Sequence, residues 1–145
     1  MKLCLSPINI KLEFEKSRET TKSPETLINE IPYVLARLDY EILPNTDSTI
    51  SFKYGWWNLS KGKRLSKLET GNFEIVTLND KTCVKLIYRS SILGEIIFFI
   101  LISMFCLISF EALFIIVPIL IQLYFRINLQ KQESEAILDE IINKN

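Results

Sequence analysis

Four apolar side chains alternate with polar ones near the beginning of the chain, in the segment INIKLEFE. Ile8, Ile10, Leu12 and Phe14 share one face of this segment if it is extended, and the polar residues share the other face. Alternation with a period of two is typical of a strand that buries one face. The polar stretch KSRETTKSP, which comes next, is interpreted as a linker.

A helix is predicted from Ser23 onward, because the apolar residues change to helical spacing there. Serine can cap the first turn, and Pro24 fits the first helical position. The recurring apolar residues predict one buried stripe, made of Leu27, Ile28, Ile31, Leu35 and Leu38. Pro32 lies inside this stripe and predicts either a kink or two short helices that meet there.

Four further strands are predicted after this helix. Their expected ranges are Tyr40–Leu43, Ile50–Trp57, Phe73–Leu78 and Thr82–Arg89. The last two flank Asn79 and Asp80, which is typical of a hairpin with a tight polar turn. The order strand, helix, four strands predicts a small α+β domain with an antiparallel sheet.

The segment from Ser91 to Arg126 is almost entirely apolar, with Glu95 near its beginning and Glu111 near its middle. A membrane-spanning helix needs about 20 apolar residues to cross about 30 Å of hydrocarbon. A single helix over this whole segment would be about 54 Å long. The sequence leaves three arrangements open: a spanning helical hairpin, a single tilted span and a re-entrant hairpin.

The spanning hairpin is the arrangement that the pattern favours. One arm runs over 92–108 and the other over 112–125. Ser109 can cap the second arm, and Glu111 then lies in its first turn, where a negative charge is favoured. These two residues are the predicted hairpin tip. Pro118 is the predicted kink in the second arm.

Basic residues lie on both sides of the apolar segment. Lys85 and Arg89 precede it, Arg126 and Lys131 follow it, and none lies between. Because bases are retained on the cytosolic side of a membrane, both termini are expected to be cytosolic. The predicted location is the inner (cytoplasmic) membrane, with a multi-pass topology.

The chain therefore divides into three predicted parts. Residues 1–89 form a cytosolic α+β domain, residues 90–126 form the transmembrane helical hairpin, and residues 127–145 form a cytosolic amphipathic tail helix. The tail has an apolar stripe that predicts packing on the domain or pairing with another subunit, and we favour the domain. The stripe consists of Ile137, Leu138, Ile141 and Ile142.

A basic loop with aromatic residues is the most suggestive polar segment. Tryptophan favours the interface between membrane and water, and bases are attracted to anionic lipid. The loop is therefore a candidate for contact with the membrane surface, and the alternative is a solvated loop. The candidate contact residues are Trp57, Lys61, Lys63, Arg64 and Lys67.

Composition argues against several kinds of chemistry. The 17 basic and 17 acidic residues give a formal net charge of zero, which does not favour nucleic acid as a partner. Histidine is absent and the three cysteines are far apart, so no metal site is predicted. No nucleotide-binding or hydrolase motif is present in the sequence. The expectation is a protein that is not an enzyme and binds no cofactor.

The predicted function is a membrane-anchored, non-enzymatic binding or regulatory module that acts at the cytosolic leaflet. Two alternatives stay open. One is a membrane-acting effector or immunity protein whose hairpin oligomerises, and the other is an accessory subunit of a larger membrane protein complex. The expected partners are the lipid bilayer and a protein partner or second copy, which would bind through the hairpin or the tail.

Overall fold

The computed structural model describes residues 2–6, 9–44, 48–55, 66–78, 81–106 and 113–143. Six strands and three helices follow one another in these ranges. They are β1 (Lys2–Ser6), β2 (Asn9–Thr20), α1 (Pro24–Arg37), β3 (Tyr40–Ile42), β4 (Thr49–Tyr54), β5 (Thr70–Leu78), β6 (Lys81–Ser91), α2 (Leu93–Cys106) and α3 (Leu113–Asn143). The order from β2 to β6 is the predicted one, whereas β1 was not predicted.

The strands form one antiparallel sheet with the spatial order β1-β2-β6-β5-β4-β3. The long strands β2 and β6 pair near its middle, and Phe14 stacks on its partner Tyr88 with 5.1 Å between ring centroids. Even-numbered residues of β6 are buried and odd-numbered ones are more exposed, as expected for a sheet with one covered face. A hydrophobic core joins this covered face to side chains of α1 and α3.

Helix α1 begins where the sequence predicts. The Ser23 hydroxyl accepts a hydrogen bond from the Thr26 amide at 3.3 Å, and Pro24 occupies the first turn. The helix continues through Pro32 to Arg37, so the alternative of two short helices is wrong. Its buried residues are Leu27, Ile31, Val34 and Leu35, which confirms most of the predicted stripe.

Strand β2 is longer than predicted, since it continues to Thr20 through the segment that was interpreted as a linker. Lys16 and Arg18 point to the covered face of the sheet, where they form ion pairs with Glu135 and Asp139 of α3. These partners lie 119 and 121 positions later in the chain. The linker prediction was wrong because the local sequence does not contain the residues that stabilise this part of the strand.

Helix α3 is continuous from Leu113 to Asn143 and has two different surroundings. Its first part lies beside α2, and its second part packs on α1 and the sheet. In the second part Ile137, Leu138 and Ile141 are at most 1% exposed. The expected packing of the tail on the α+β domain is therefore confirmed.

The predicted transmembrane hairpin is wrong. Within the described residues, no helix has both the length and the apolar composition needed to cross a membrane. Helix α2 has 14 residues and is therefore about 21 Å long, which is less than the hydrocarbon thickness of about 30 Å. Helix α3 is longer, but from Arg126 onward it contains several charged residues, and its apolar side chains pack on the domain.

The expectations that depended on this hairpin are corrected with it. They were the description of the chain as a membrane protein with transmembrane helices, and its multi-pass placement in the inner membrane with both termini cytosolic. Both required helices that cross the bilayer, which the described helices do not. The antiparallel sheet and the mixed α+β class remain.

Candidate functional site

The candidate site is the pair formed by α2 and the first part of α3, which we call the apolar helix pair (Leu93–Cys106 and Leu113–Phe125). Its first helix follows the central strand β6 almost directly, because β6 ends at Ser91 and α2 begins at Leu93. The amide of Ile96 donates to the carbonyl of Ile92 at 3.0 Å and closes the first turn. The direction in which α2 leaves the domain is therefore set by a strand in the middle of the sheet.

Large apolar side chains are exposed around the whole circumference of α2. Five consecutive residues are between 42% and 55% exposed, namely Ile97, Phe98, Phe99, Ile100 and Leu101. Successive helical residues are about 100° apart, so five of them point in all directions around the axis. This helix has no polar face over these residues, unlike the surface helix of an ordinary globular domain.

The first part of α3 exposes the same kind of side chain. Its exposed large hydrophobic residues are Phe114, Val117, Leu120, Ile121, Tyr124 and Phe125. Pro118, the predicted kink, lies inside this continuous helix. The two helices contact each other, and Ile102 of α2 is only 7% exposed. Both members of the pair thus keep most of their outer apolar surface free of contacts with the domain.

Polar groups are few in the apolar helix pair. Among its residues whose side chains the structure describes, none is charged, and the polar ones are Ser103, Gln122 and Tyr124. The Ser103 hydroxyl donates to the carbonyl of Phe99 at 2.8 Å, one helical turn earlier. This hydroxyl therefore does not need water as a hydrogen-bond partner.

A compact polar cluster lies at the base of the pair, and we call it the basal clamp (Glu69, Ser90, Ser91 and Arg126). The Arg126 guanidinium donates to Glu69 Oε1 at 2.5 Å and to the Ser91 carbonyl at 3.0 Å. Ser90 Oγ lies 3.3 Å from the same guanidinium nitrogen, and Glu69 Oε2 accepts from the Ser91 amide at 2.9 Å. The clamp joins α3, the end of β6 and the beginning of β5, and so fixes both helices of the pair to the domain.

Two aromatic residues mark the boundary between the apolar surface and the clamp. Tyr124 and Phe125 directly precede Arg126 and are 68% and 58% exposed. Their rings meet edge to face with 6.0 Å between centroids. The transition from apolar to charged surface is therefore sharp, and aromatic side chains occupy it.

Beyond the clamp, α3 is held by a second set of polar contacts. Gln130 is 1% exposed and donates to the Lys67 carbonyl at 3.2 Å. The Lys67 ammonium lies 2.5 Å from Glu133 and 5.1 Å from the centroid of the Tyr40 ring. The Tyr40 hydroxyl accepts from the Leu68 amide at 3.1 Å, and burial raises the pKa of Tyr40 so that the phenol stays protonated. These contacts place the segment 66–69 against α3.

Only some of the site residues that were predicted from the sequence lie in the described part of the chain. Lys67 is the described member of the predicted surface loop, and its ammonium is engaged by Glu133. The other predicted surface residues and the predicted hairpin tip lie outside the described residues. These are Trp57, Lys61, Lys63, Arg64, Ser109 and Glu111. Their roles stay predictions.

The clamp was not predicted, although two signals in the sequence point to it. Arg126 is the first charged residue after the apolar segment, and Glu69 is the first acid after the basic loop. Neither signal indicates that the two side chains meet, because they are 57 positions apart. No group of three or more potential metal ligands is found among the described residues.

No protein-family model matches this chain, and no curated protein matches it.

Proposed function

We propose that this chain is a non-enzymatic binding module that attaches to a lipid surface by inserting its apolar helix pair. The observation that carries the proposal is the exposure of large apolar side chains in every direction around α2. Water makes such a surface costly, at roughly 25 cal/mol for each Å² of apolar area. A partner that removes this cost has to cover every side of α2 that α3 leaves open, rather than a single stripe of it.

Lipid chains satisfy this requirement better than a second copy of the protein. A protein partner covers one stripe of a helix, and Ile97 to Leu101 would still present apolar side chains on the remaining sides. Hydrocarbon chains adapt to the whole circumference. The internal hydrogen bond of Ser103 agrees with a water-poor environment, because its hydroxyl is already satisfied.

The aromatic residues at the boundary also support lipid as the partner of the apolar helix pair. Tyrosine is favoured at the interface between hydrocarbon and headgroups, where its apolar ring and polar hydroxyl meet different surroundings. Tyr124 occupies that position, one helical residue from Phe125 and two from Arg126. Insertion from one surface does not require a helix that crosses the bilayer, since apolar side chains can enter the hydrocarbon from one side.

In this proposal the inserted helix pair holds the α+β domain at the lipid surface. The polar face of its sheet holds paired charges, with Arg89 at 2.8 Å from Glu13 and Lys53 at 3.1 Å from Glu41. The non-enzymatic character of the proposal is supported by the sequence, which has no histidine to act as a base near neutral pH.

Co-flotation with phosphatidylcholine vesicles tests the proposal. The full chain is diluted from mild detergent into vesicles and centrifuged through a density gradient, and we expect it to float with the lipid. The triple variant Phe98→Asn, Leu101→Asn and Ile121→Asn should stay in the aqueous fraction, because these side chains are about half exposed and apolar. Val76→Asn is the matched control, since Val76 is 45% exposed on the sheet and should not affect flotation.

Two results would overturn the proposal. One is a full chain that remains in the aqueous fraction with vesicles present, in particular as a discrete dimer that the triple variant dissociates. Such a dimer would identify a second copy as the occupant. The other is a triple variant that floats as well as the natural chain while its circular dichroism shows an unchanged fold.

A further inference from the structure

We infer that the lipid recognised by this chain carries an anionic headgroup, which Lys11 and Lys131 contact at the base of the apolar helix pair. The inference rests on the proposed function and names the chemical class of its ligand.

Almost every basic side chain that the structure places is neutralised by an acid of the same chain. The paired bases are Lys16, Arg18, Lys22, Arg37, Lys53, Lys67, Lys81, Lys85, Arg89 and Arg126. Among the bases with a described side chain, Lys11 and Lys131 are the two that form no ion pair. They are therefore the described positive charges that remain available to an external anion.

Both unpaired lysines lie near the base of the helix pair. Lys11 is the partner of Ser91 in the register of β2 and β6. The carbonyl of Ser91 accepts a hydrogen bond from Arg126. Lys131 is exposed on α3, five residues after Arg126, which corresponds to about 7.5 Å along the helix axis. Measured along the helix axis, Lys131 is therefore closer to the clamp than the Debye length of about 10 Å.

The two lysines lie on different sides of the base. Lys11 shares the open face of the sheet with Glu13, two residues further along the strand, whereas α3 covers the opposite face. A flat layer of headgroups that meets the base of the pair can contact both sides at once. A single small anion could not.

The opposite end of the domain has a different charge balance. Lys22 and Lys81 lie there and are paired with Glu30 and Glu19. Glu25, which forms no ion pair with a described base, is in the first turn of α1 and follows that end of β2. The available positive charge of the described residues is thus concentrated where the apolar pair begins, although the chain as a whole is neutral.

The test compares flotation with neutral phosphatidylcholine vesicles and with vesicles that also contain phosphatidylglycerol. The natural chain should bind the anionic vesicles more tightly. Each lysine near an anionic surface strengthens binding by about fivefold, so Lys11→Gln with Lys131→Gln should weaken anionic binding by roughly 25-fold. Binding to neutral vesicles should not change. The matched control, Lys22→Gln with Lys81→Gln, removes the same charge from the other end and should keep the preference.

The outcomes separate this inference from the proposed function. If the natural chain floats equally well with both kinds of vesicle, the inference is wrong and the lipid attachment stands. If the preference persists in the Lys11 and Lys131 double variant, the inference is also wrong, because other bases then create it. If the chain floats with neither kind of vesicle, the proposed function itself fails. High salt should reduce the preference and leave neutral binding in place.

Discussion

Arg126 and Glu69 form an ion pair across the base of the apolar helix pair, with 2.5 Å between guanidinium and carboxylate. Glu69 uses its second oxygen to accept from the Ser91 amide, and Arg126 donates to the Ser91 carbonyl. The three residues therefore close a ring of polar contacts. This ring ties α3 to the place where β6 leads into α2.

The first prediction concerns this clamp. Arg126→Gln should lower the free energy of unfolding by about 1–2 kcal/mol, because Glu69 and the Ser91 carbonyl lose their charged donor. The expected loss lies low in the range for unsatisfied polar groups, since Glu69 is 39% exposed. A urea titration of the full chain in mild detergent, followed by tryptophan fluorescence, measures the change.

Arg89→Gln is the control for that prediction. Arg89 is 48% exposed and pairs with Glu13 on the open face of the sheet, so its removal should change stability by less than about 0.5 kcal/mol. Equal losses for the two arginine variants would show that the clamp is an ordinary surface ion pair.

The second prediction concerns the attachment of α3 to the domain. Leu138 is fully buried in the core, and Leu138→Ala should cost about 2–5 kcal/mol through lost contacts and the cavity left behind. Leu129→Ala, on the same helix, removes a side chain that is 37% exposed and should cost less than about 1 kcal/mol. Urea titrations of both variants test whether the second part of α3 belongs to the core, and similar costs would argue that it does not.

The features that the sequence predicted well depend on neighbouring residues. The cap of α1 needs only Ser23 and the amides that follow it, and the hairpin of β5 and β6 needs only alternation around a polar turn. The apolar stripe of the tail was also readable, because Ile137, Leu138 and Ile141 recur at helical spacing.

The features that were missed depend on distant partners. Lys16 and Arg18 resemble linker residues until Glu135 and Asp139 are placed beside them by α3. The apolar segment was assigned to two spanning arms because periodicity cannot show that the second helix continues into the core of the domain. The clamp between Glu69 and Arg126 was missed for the same reason, since neither residue carries a local signal of the other.

The third prediction concerns close packing at Gly71 in β5. A Cβ atom there would lie 2.5 Å from Cζ of Phe52 and 2.9 Å from the carbonyl of Ile87. Phe52 is fully buried and cannot move away, so Gly71→Ala should destabilise the fold by about 1–3 kcal/mol.

Gly55→Ala is the matched substitution, because a Cβ atom there has no neighbour within 4 Å among the described residues. It should leave stability unchanged or raise it by up to about 1 kcal/mol, since alanine restricts the unfolded chain. Thermal unfolding of the two alanine variants in parallel compares them directly. Equal melting temperatures for Gly71→Ala and Gly55→Ala would show that Phe52 yields to a Cβ atom at position 71 without cost.

The last prediction concerns the pH dependence of two carboxylates. A hydrogen bond from Lys81 lowers the pKa of Glu19 below its ordinary value of 4.5, and a hydrogen bond from Lys16 does the same to Glu135. Because these pKa values are lower in the folded state, the unfolded chain takes up protons first as the pH falls. The stability from both pairs is therefore present above about pH 4.5 and is lost as the pH falls through the folded pKa values.

Urea midpoints measured from pH 7 to pH 3 test this with two variants of equal charge. Lys81→Gln removes the donor of Glu19, so its midpoint should fall less steeply with acid than that of the natural chain. Lys131→Gln removes a lysine that forms no ion pair among the described residues, so it should keep the natural pH dependence. Both carboxylates are largely exposed, with 67% of the Glu19 side chain and 53% of the Glu135 side chain accessible, so the difference should shrink in high salt. If Lys81→Gln and Lys131→Gln respond alike to acid, the pairing of Glu19 with Lys81 does not contribute to the acid sensitivity of the fold.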